Sequence, residues 1–228
     1  MSKKEALIRV ENLSKSYQKN GLRLEIIKNV SFIIKKGEIT TITGESGAGK
    51  STLLYLISGL LKPCEGRVYF QDQNIYDLKD DAKARLINNK LGYVFQDYQL
   101  LTNLTVLENI YLPAKLKCID KPSSQYYQKK AKDLLAQFNL SHRIAHYPYE
   151  LSGGEQQRVA ILRALINEPE VIFCDEPTGN LDSHNTEIFI NTILDFKAKL
   201  NQTFVIVSHS EKFIKIADKI FHIKDGVL

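Results

Sequence analysis

Several things are scarce in this sequence, and each scarcity excludes a class of protein. Cysteine occurs three times, at Cys64, Cys118 and Cys174. The three are odd in number, far apart, and form neither a CxxC pair nor a Cys/His cluster. A disulfide scaffold and a zinc module are therefore excluded, and a reducing compartment fits. Long apolar runs are missing, since no stretch approaches the ~18 residues that cross a bilayer. The Met1-Ser2-Lys3-Lys4 start leads through Ala6-Leu7-Ile8 straight into Arg9 and Glu11, so no secretory apolar segment forms. The chain is expected in the cytosol, or at a membrane only through a partner. With 12 Gly and 6 Pro in 228 residues, and no internal repeat or low-complexity segment, collagen and disordered linkers drop out. Charge of one sign is also modest. The 31 Lys+Arg against 26 Asp+Glu leave a net +5 that is scattered along the chain, so no nucleic-acid partner or polybasic anchor is expected.

What remains is 43% hydrophobic and 25% charged, the makeup of one large domain or two closely joined lobes with a packed core. Short β-rich runs at residues 7–10, 26–27 and 30–34 predict antiparallel strands, and residues 39–43 a buried strand. After a glycine loop, residues 51–60 are apolar at Leu53, Leu54, Leu56, Ile57 and Leu60, the spacing of a helix that Gly59 and Pro63 stop. Further strands are predicted at 91–95, 171–174, 203–207 and 220–223, with intervals long enough for crossover helices, the pattern of an α/β fold with a largely parallel sheet. Between Gln96 and Pro169 the β signal gives way to two helical stripes, one through Ala131, Leu134, Leu135 and Phe138, the other through Val159, Leu162, Leu165 and Ile166. A helical sublobe is inserted there. Thr105 and Glu108 form a capping box at the start of one of its helices, and Lys121-Pro122-Ser123-Ser124 reads as the loop before the next.

Three segments carry chemistry. Gly44-Glu45-Ser46-Gly47-Ala48-Gly49-Lys50-Ser51 matches G-x-x-x-x-G-K-[ST] and lies between a predicted strand and a predicted helix. Its backbone N–H groups suit phosphate oxygens, Lys50 the β/γ-phosphates, and Ser51 Mg²⁺. The run 171–174 ends in Asp175-Glu176, at the strand end where α/β sheets place ligand chemistry. Alone such a pair is a solvated turn. Beside a phosphate loop, Asp175 becomes the Mg²⁺-side carboxylate and Glu176 a base that accepts a proton from water. Leu151-Ser152-Gly153-Gly154-Glu155 opens a helix with two glycines in its first turn, at about 1 kcal/mol each against Ala. Alone it reads equally as an ordinary capped helix. Bare backbone N–H groups there, with the Ser152 hydroxyl, make a second anion site.

Taken in order, Gly44–Ser51, Gln96, Leu151–Gln157, Asp175-Glu176, Asn180-Leu181-Asp182 and His209 closely resemble the motifs of ABC transporter nucleotide-binding subunits. The resemblance implies one ABC ATPase domain over 1–228, of the P-loop NTPase fold. A RecA-like mixed-sheet core with an N-terminal antiparallel β subdomain would span 1–96 and 166–228, and a helical subdomain 97–165. It implies a head-to-tail homodimer closing on two ATP molecules, each held between one protomer's phosphate loop, Gly44 through Ser51 with Thr52 beside it, and the other's Ser152-Gly153-Gly154-Glu155. It further assigns Tyr17 to adenine stacking, Gln96 to the Mg²⁺ and water side, Asp182 to contact across the dimer, and His209 to the γ-phosphate. Glu176, His209, Gln96 and Lys50 are then the catalytic set, and Ser51, Gln96 and Asp175 the Mg²⁺ set, Asp175 through water. His142, His146, His184 and His222 are left as surface or structural residues.

Within the family the sequence is similar to the LolD/MacB/FtsE group, most so to its lipoprotein-releasing members. The likeness lies in Glu176-Pro177-Thr178-Gly179-Asn180-Leu181-Asp182, Tyr149 through Glu155, Leu91 through Gln96, and Thr105 through Ile110. It implies an ATPase peripheral to the cytoplasmic side of a bacterial inner membrane, powering separate permease subunits of the LolC/LolE kind. Residues 97–110, with Tyr98, Leu100, Leu101 and Leu104, are the expected contact. The chain's end at Leu228 is read as excluding a fused MacB-type pump. Antimicrobial-peptide or macrolide export and FtsE-like cell-division signalling share these residues. A DNA-repair ABC ATPase would carry a long insertion between Gln96 and Leu151, a translation factor usually two cassettes, and a non-enzymatic P-loop module would lack the Glu176 and His209 pair.

Overall fold

The structure, a computed structural model, describes residues 6–19, 21–117, 124–179 and 181–228. Cys118, Asn180 and the loop residues Lys121-Pro122-Ser123 lie outside them. Strands β1 (Ala6–Lys19) and β2 (Leu22–Lys35) form a long antiparallel hairpin. Strand β3 (Ile39–Thr43) is buried at every position, and helix α1 (Lys50–Ile57) follows the glycine loop. Strands β4 (Glu65–Phe70) and β5 (Gln73–Asn74) return to the hairpin, giving an antiparallel sheet of order β2-β1-β4-β5. Next come α2 (Asp80–Lys90), β6 (Leu91–Val94), and three helices, α3 (Val106–Lys117), α4 (Ser124–Gln137) and α5 (Gly153–Leu165). The chain closes with β7 (Val171–Asp175), α6 (Ser183–Leu200), β8 (Thr203–Val207), α7 (Glu211–Ile216) and β9 (Lys219–His222).

The second sheet has the order β6-β7-β8-β3-β9, and all its pairings are parallel. Antiparallel and parallel strands thus segregate into two sheets, the antiparallel subdomain and the core sheet that the sequence led us to expect. β3, β7 and β8 are apolar or Thr-rich throughout because both faces of the parallel sheet are covered. Successive side chains alternate between two cores. Val171 and Phe173 of β7, with Val205 and Val207 of β8, join Leu53, Leu54, Leu56 and Ile57 of α1 between the sheets. Ile172, Cys174, Phe204 and Ile206 face the other way, onto α5, α6 and α7. A third core unites α3, α4 and α5 through Val106, Ile110, Ala131, Leu135, Val159 and Leu162. Helix α5 serves two cores, with Ala160, Ile161 and Ala164 toward the sheet and Val159 and Leu162 toward the helices. Because the strands are parallel, the carboxyl ends of β3, β6, β7 and β8 lie along one edge.

β4 and α2 are not apparent in the sequence. β4 alternates only weakly, and α2 buries no residue, so neither has a period to read. The Thr105 capping box forms, with the Thr105 N–H donating to Glu108 at 2.8 Å and the Glu108 N–H to Thr105 Oγ1 at 3.3 Å.

Just beyond it, Asn109 is fully buried. Its Oδ1 accepts from the Leu101 N–H at 2.8 Å, while Nδ2 donates to the Leu101 and Leu104 carbonyls, each at 3.0 Å. One side chain therefore fixes the 101–105 loop. Asn109→Leu leaves these groups unpaired and is expected to cost on the order of 3 kcal/mol in urea unfolding, with faster amide exchange at Leu101.

Candidate active site

The shared strand edge opens into a cleft of about 750 Å³ lined by Gly44, Glu45, Ser46, Gly47, Gly49, Lys50, Ser51, Thr52, Gln96, Glu176, Gly179 and His209, with Ile26 at one side. Gly49 is the N-cap of α1 at φ 100°, and no side chain caps that end. Its left-handed backbone turns the loop tightly, and a Cβ there would meet the Ile26 carbonyl at 2.9 Å. The first N–H groups of α1 are left without side-chain acceptors and carry the positive end of the helix dipole, the requirement for holding phosphate. Lys50 Nζ donates to the Gly44 and Glu45 carbonyls at 3.0 and 2.9 Å, which holds its ammonium against the loop, 4.0 Å from Glu176.

Glu176 follows β7 with φ 41°, left-handed and uncommon for a residue with a Cβ. The turn breaks strand alternation, so Asp175 and Glu176 do not point to opposite faces. Its N–H is anchored on the Val207 carbonyl at 2.9 Å. The Glu176 side chain is 15% exposed, and the His209 ring, 74% exposed, lies with Nδ1 3.1 Å from its carboxylate. A carboxylate only accepts, so Nδ1 carries the hydrogen and Nε2 is left for another group.

Asp175 is 2% exposed. Ser51 Oγ donates to its Oδ1 and the Tyr55 hydroxyl to its Oδ2, each at 2.8 Å. With its hydrogen committed to Asp175, Ser51 presents lone pairs outward. Burial, then the bond to Asp175, push the Tyr55 hydroxyl up to about 12, so it remains a donor at all working pH. Tyr55 was not read from the sequence. Its signal is the i, i+4 spacing from Ser51, which puts both hydroxyls on one face of α1. Arg163 was likewise missed. From α5 its guanidinium donates to the Tyr98 and Gln99 carbonyls at 2.7 and 2.6 Å and fixes the turn after Gln96.

Tyr17, Ser152, Gly153, Gly154, Glu155 and Asp182 do not line the cleft. Tyr17, on β1, is exposed, with Lys15 Nζ 5.1 Å from its ring centroid. Ser152 and Gly153 are exposed at the start of α5. Ser152 Oγ accepts from the Glu155 N–H at 3.3 Å, and Glu155 accepts from the Ser152 N–H at 2.8 Å and from Arg143 Nε at 2.9 Å. Burial opposes ionisation of Glu155, but the Ser152 and Arg143 bonds outweigh it and hold its carboxyl below the ordinary range. The carboxylate is thus turned back on its own helix start. Gly154 is buried, and a Cβ there would come within 2.3 Å of Asn185 Oδ1. Asn185 in turn donates to both oxygens of Asp182, from N at 2.7 Å and Nδ2 at 2.9 Å. Gln157 Nε2 donates to the Pro177 carbonyl. The glycine-rich helix start is therefore packed against the segment that follows Glu176. Within the expected permease contact, Tyr98 is buried in the core shared by α5, α6 and α7, and the chain turns left-handed at 98–99. Leu101 is exposed and Leu100 half-buried.

A phosphate loop, a strand-end carboxylate pair and a histidine on one edge of a parallel sheet define a P-loop ATPase cassette. The sequence profile of the ABC transporter family matches residues 27–179, and the chain belongs to that family as an ATP-hydrolysing cassette. It is 43% identical over 205 residues to the lipoprotein-releasing system ATP-binding protein LolD of Cytophaga hutchinsonii, covering 90% of this chain and 92% of that one. The LolD of Bacteroides thetaiotaomicron is 41% identical over 222 residues, covering 97% and 99%. Among solved structures, the dimeric ATP-binding cassette MJ0796 in a post-hydrolysis state bound to ADP and Pi superposes with a TM-score of 0.90 at 37% identity, covering 97% of this chain and 96% of that one. A second dimeric structure of that bacterial ABC transporter cassette gives 0.90 at 38% identity.

Tyr55→Phe removes one of the two donors to a buried carboxylate. It is expected to cost about 1.5–3 kcal/mol in urea unfolding and to lower the ATPase rate measured by phosphate release.

Proposed function

We propose that this chain is the ATPase subunit of a lipoprotein-releasing transporter, peripheral to the cytoplasmic side of a bacterial inner membrane, where it drives separate permease subunits of the LolC/LolE kind. The observation that carries the ATPase reading is the convergence of Lys50, Ser51, Glu176 and His209 on one cleft, with Asp175 hydrogen-bonded behind Ser51. The transporter reading rests on likeness to LolD proteins over nine-tenths or more of both chains. MacB-like export and FtsE-like signalling remain the alternatives. The identity of the permease that co-purifies with this chain decides among them.

In this reading the loop N–H groups and Lys50 hold the phosphates of ATP, and Tyr17 stacks on its adenine. Ser51, with Asp175 behind it, would hold Mg²⁺, and two hard oxygen donors suit a cation that keeps waters and takes phosphate oxygens. Bound there, the cation neutralises charge developing on the phosphates. Glu176 accepts a proton from the attacking water, Gln96 orients that water, and the free Nε2 edge of His209 meets the γ-phosphate. The exposed Ser152 and Gly153 offer donors to nucleotide on a second copy of the chain, with Asp182 near the same seam, so two copies close head to tail on two ATP molecules. Closure and reopening pass to the permease through residues 97–110.

Glu176→Gln is expected to bind ATP, to lose turnover by about 10²–10⁴-fold, and to accumulate as a closed dimer in size-exclusion chromatography. Undiminished hydrolysis would refute the base assignment. Replacing Leu101 and Leu104 with Glu is expected to abolish permease co-purification while leaving ATP affinity within twofold; unchanged co-purification would move the contact elsewhere.

A further inference from the structure

Helices α3 and α5 begin on either side of a short segment, residues 140–147, and both beginnings are tied to it. The first two N–H groups of α3, which no helix can satisfy internally, donate to this segment: Val106 to the His146 carbonyl at 2.8 Å, and Leu107 to the Ile144 carbonyl at 3.2 Å. The segment's own turn is closed by Arg143 N–H on the Leu140 carbonyl and His146 N–H on the Arg143 carbonyl, both at 2.9 Å. Leu140 is buried in the three-helix core, and Ile144 packs against it.

Across the segment, the Arg143 side chain reaches the other helix. Its Nε donates to Glu155 Oε1 at 2.9 Å, and its Nη1 lies 3.2 Å from His146 Nε2. A guanidinium has no acceptor, so that histidine nitrogen accepts and the arginine fork is held at both ends. Glu155 Oε2 is the atom that receives the Ser152 N–H. Arg143 therefore bears on Ser152 through a single carboxylate. The Glu155 side chain is 12% exposed, so the ion pair is partly shielded from solvent and worth more than a surface pair. On its far side the same helix start is fastened to another body, by Gly154 against Asn185 and by Gln157 on Pro177.

We propose that Arg143 is a positioning residue for the Ser152-Gly153-Gly154 anion site. Acting through Glu155, it sets the angle at which that site meets nucleotide on a second protomer, and through residues 144–146 it makes the start of α3 move with the site. The inference rests on the head-to-tail reading above and deepens it, since it supplies a route between the 101–108 region and the opposite nucleotide.

The test uses the full chain in the Glu176→Gln background. Adding Arg143→Met is expected to leave ATP affinity of the monomer within twofold and to weaken MgATP-dependent dimerisation roughly ten- to hundredfold in sedimentation velocity. Arg143→Lys is expected to restore part of the loss. Glu155→Gln, which keeps a capping-box partner for Ser152, is expected to weaken dimerisation by itself and to add nothing to Arg143→Met. In hydrogen exchange, the Val106 and Leu107 amides are expected to gain protection on closure with Arg143 present and to lose that gain in Arg143→Met. Unchanged dimerisation, an equal fall in monomer ATP binding, additive effects of the two substitutions, or the same protection at Val106 and Leu107 in both proteins would each overturn the proposal. A Glu176→Gln protein that stays monomeric with MgATP would instead sink the head-to-tail reading, and this inference with it.

Discussion

A buried carboxylate holds the nucleotide machinery together. Asp175 ends a strand whose two faces lie in separate apolar cores, and at 2% exposure an unpaired charge there would be prohibitive. Two hydroxyls one helical turn apart, from Ser51 and Tyr55, satisfy it, and both come from α1. That pair of bonds fixes the helix behind the phosphate loop against the strand that delivers Glu176. The glycine loop, the Glu176 carboxylate and the Ser51 hydroxyl are thus registered to one another by the protein itself. Preorganisation of this kind suits phosphoryl transfer, where the protein contributes chiefly position and charge.

The parallel sheet was legible because its strands are covered on both faces and read as short, continuous apolar or Thr-rich runs, as in residues 171–174 and 203–207. The phosphate loop was legible for a different reason: its chemistry needs fixed residue types at fixed spacing. β4 and α2 left no trace, since one is a half-exposed strand and the other buries nothing. Contacts between distant residues were illegible as well. Nothing in the sequence pairs Arg143 with Glu155 or Arg163 with the carbonyls after Gln96, because these depend on how α4 and α5 pack, which apolar periodicity fixes only as a face. Tyr98 shows the same limit. It reads with Leu100, Leu101 and Leu104 as part of the permease contact, and a left-handed turn sends the ring into the core.

Helix α5 is the rigid link between these parts. One face belongs to the core beneath the sheet and the other to the three-helix core, so it cannot rotate with either alone. Its first turn meets Asn185 and Pro177 on one side and the Arg143 segment on the other, while Arg163 near its end grips the turn beyond Gln96. A rigid element with partners at both ends is how small displacements pass between distant sites in a packed protein.

The left-handed backbone at Glu176 has a consequence for how this protein trades durability against work. A glutamate side chain bears a conformational penalty there of about 1–3 kcal/mol, which glycine escapes. The most comfortable residue for the backbone is the one that can do no chemistry. Selection for robustness alone would erode this position toward glycine, so the strained glutamate marks where the cassette gives up stability to keep a carboxylate beside Lys50 and His209.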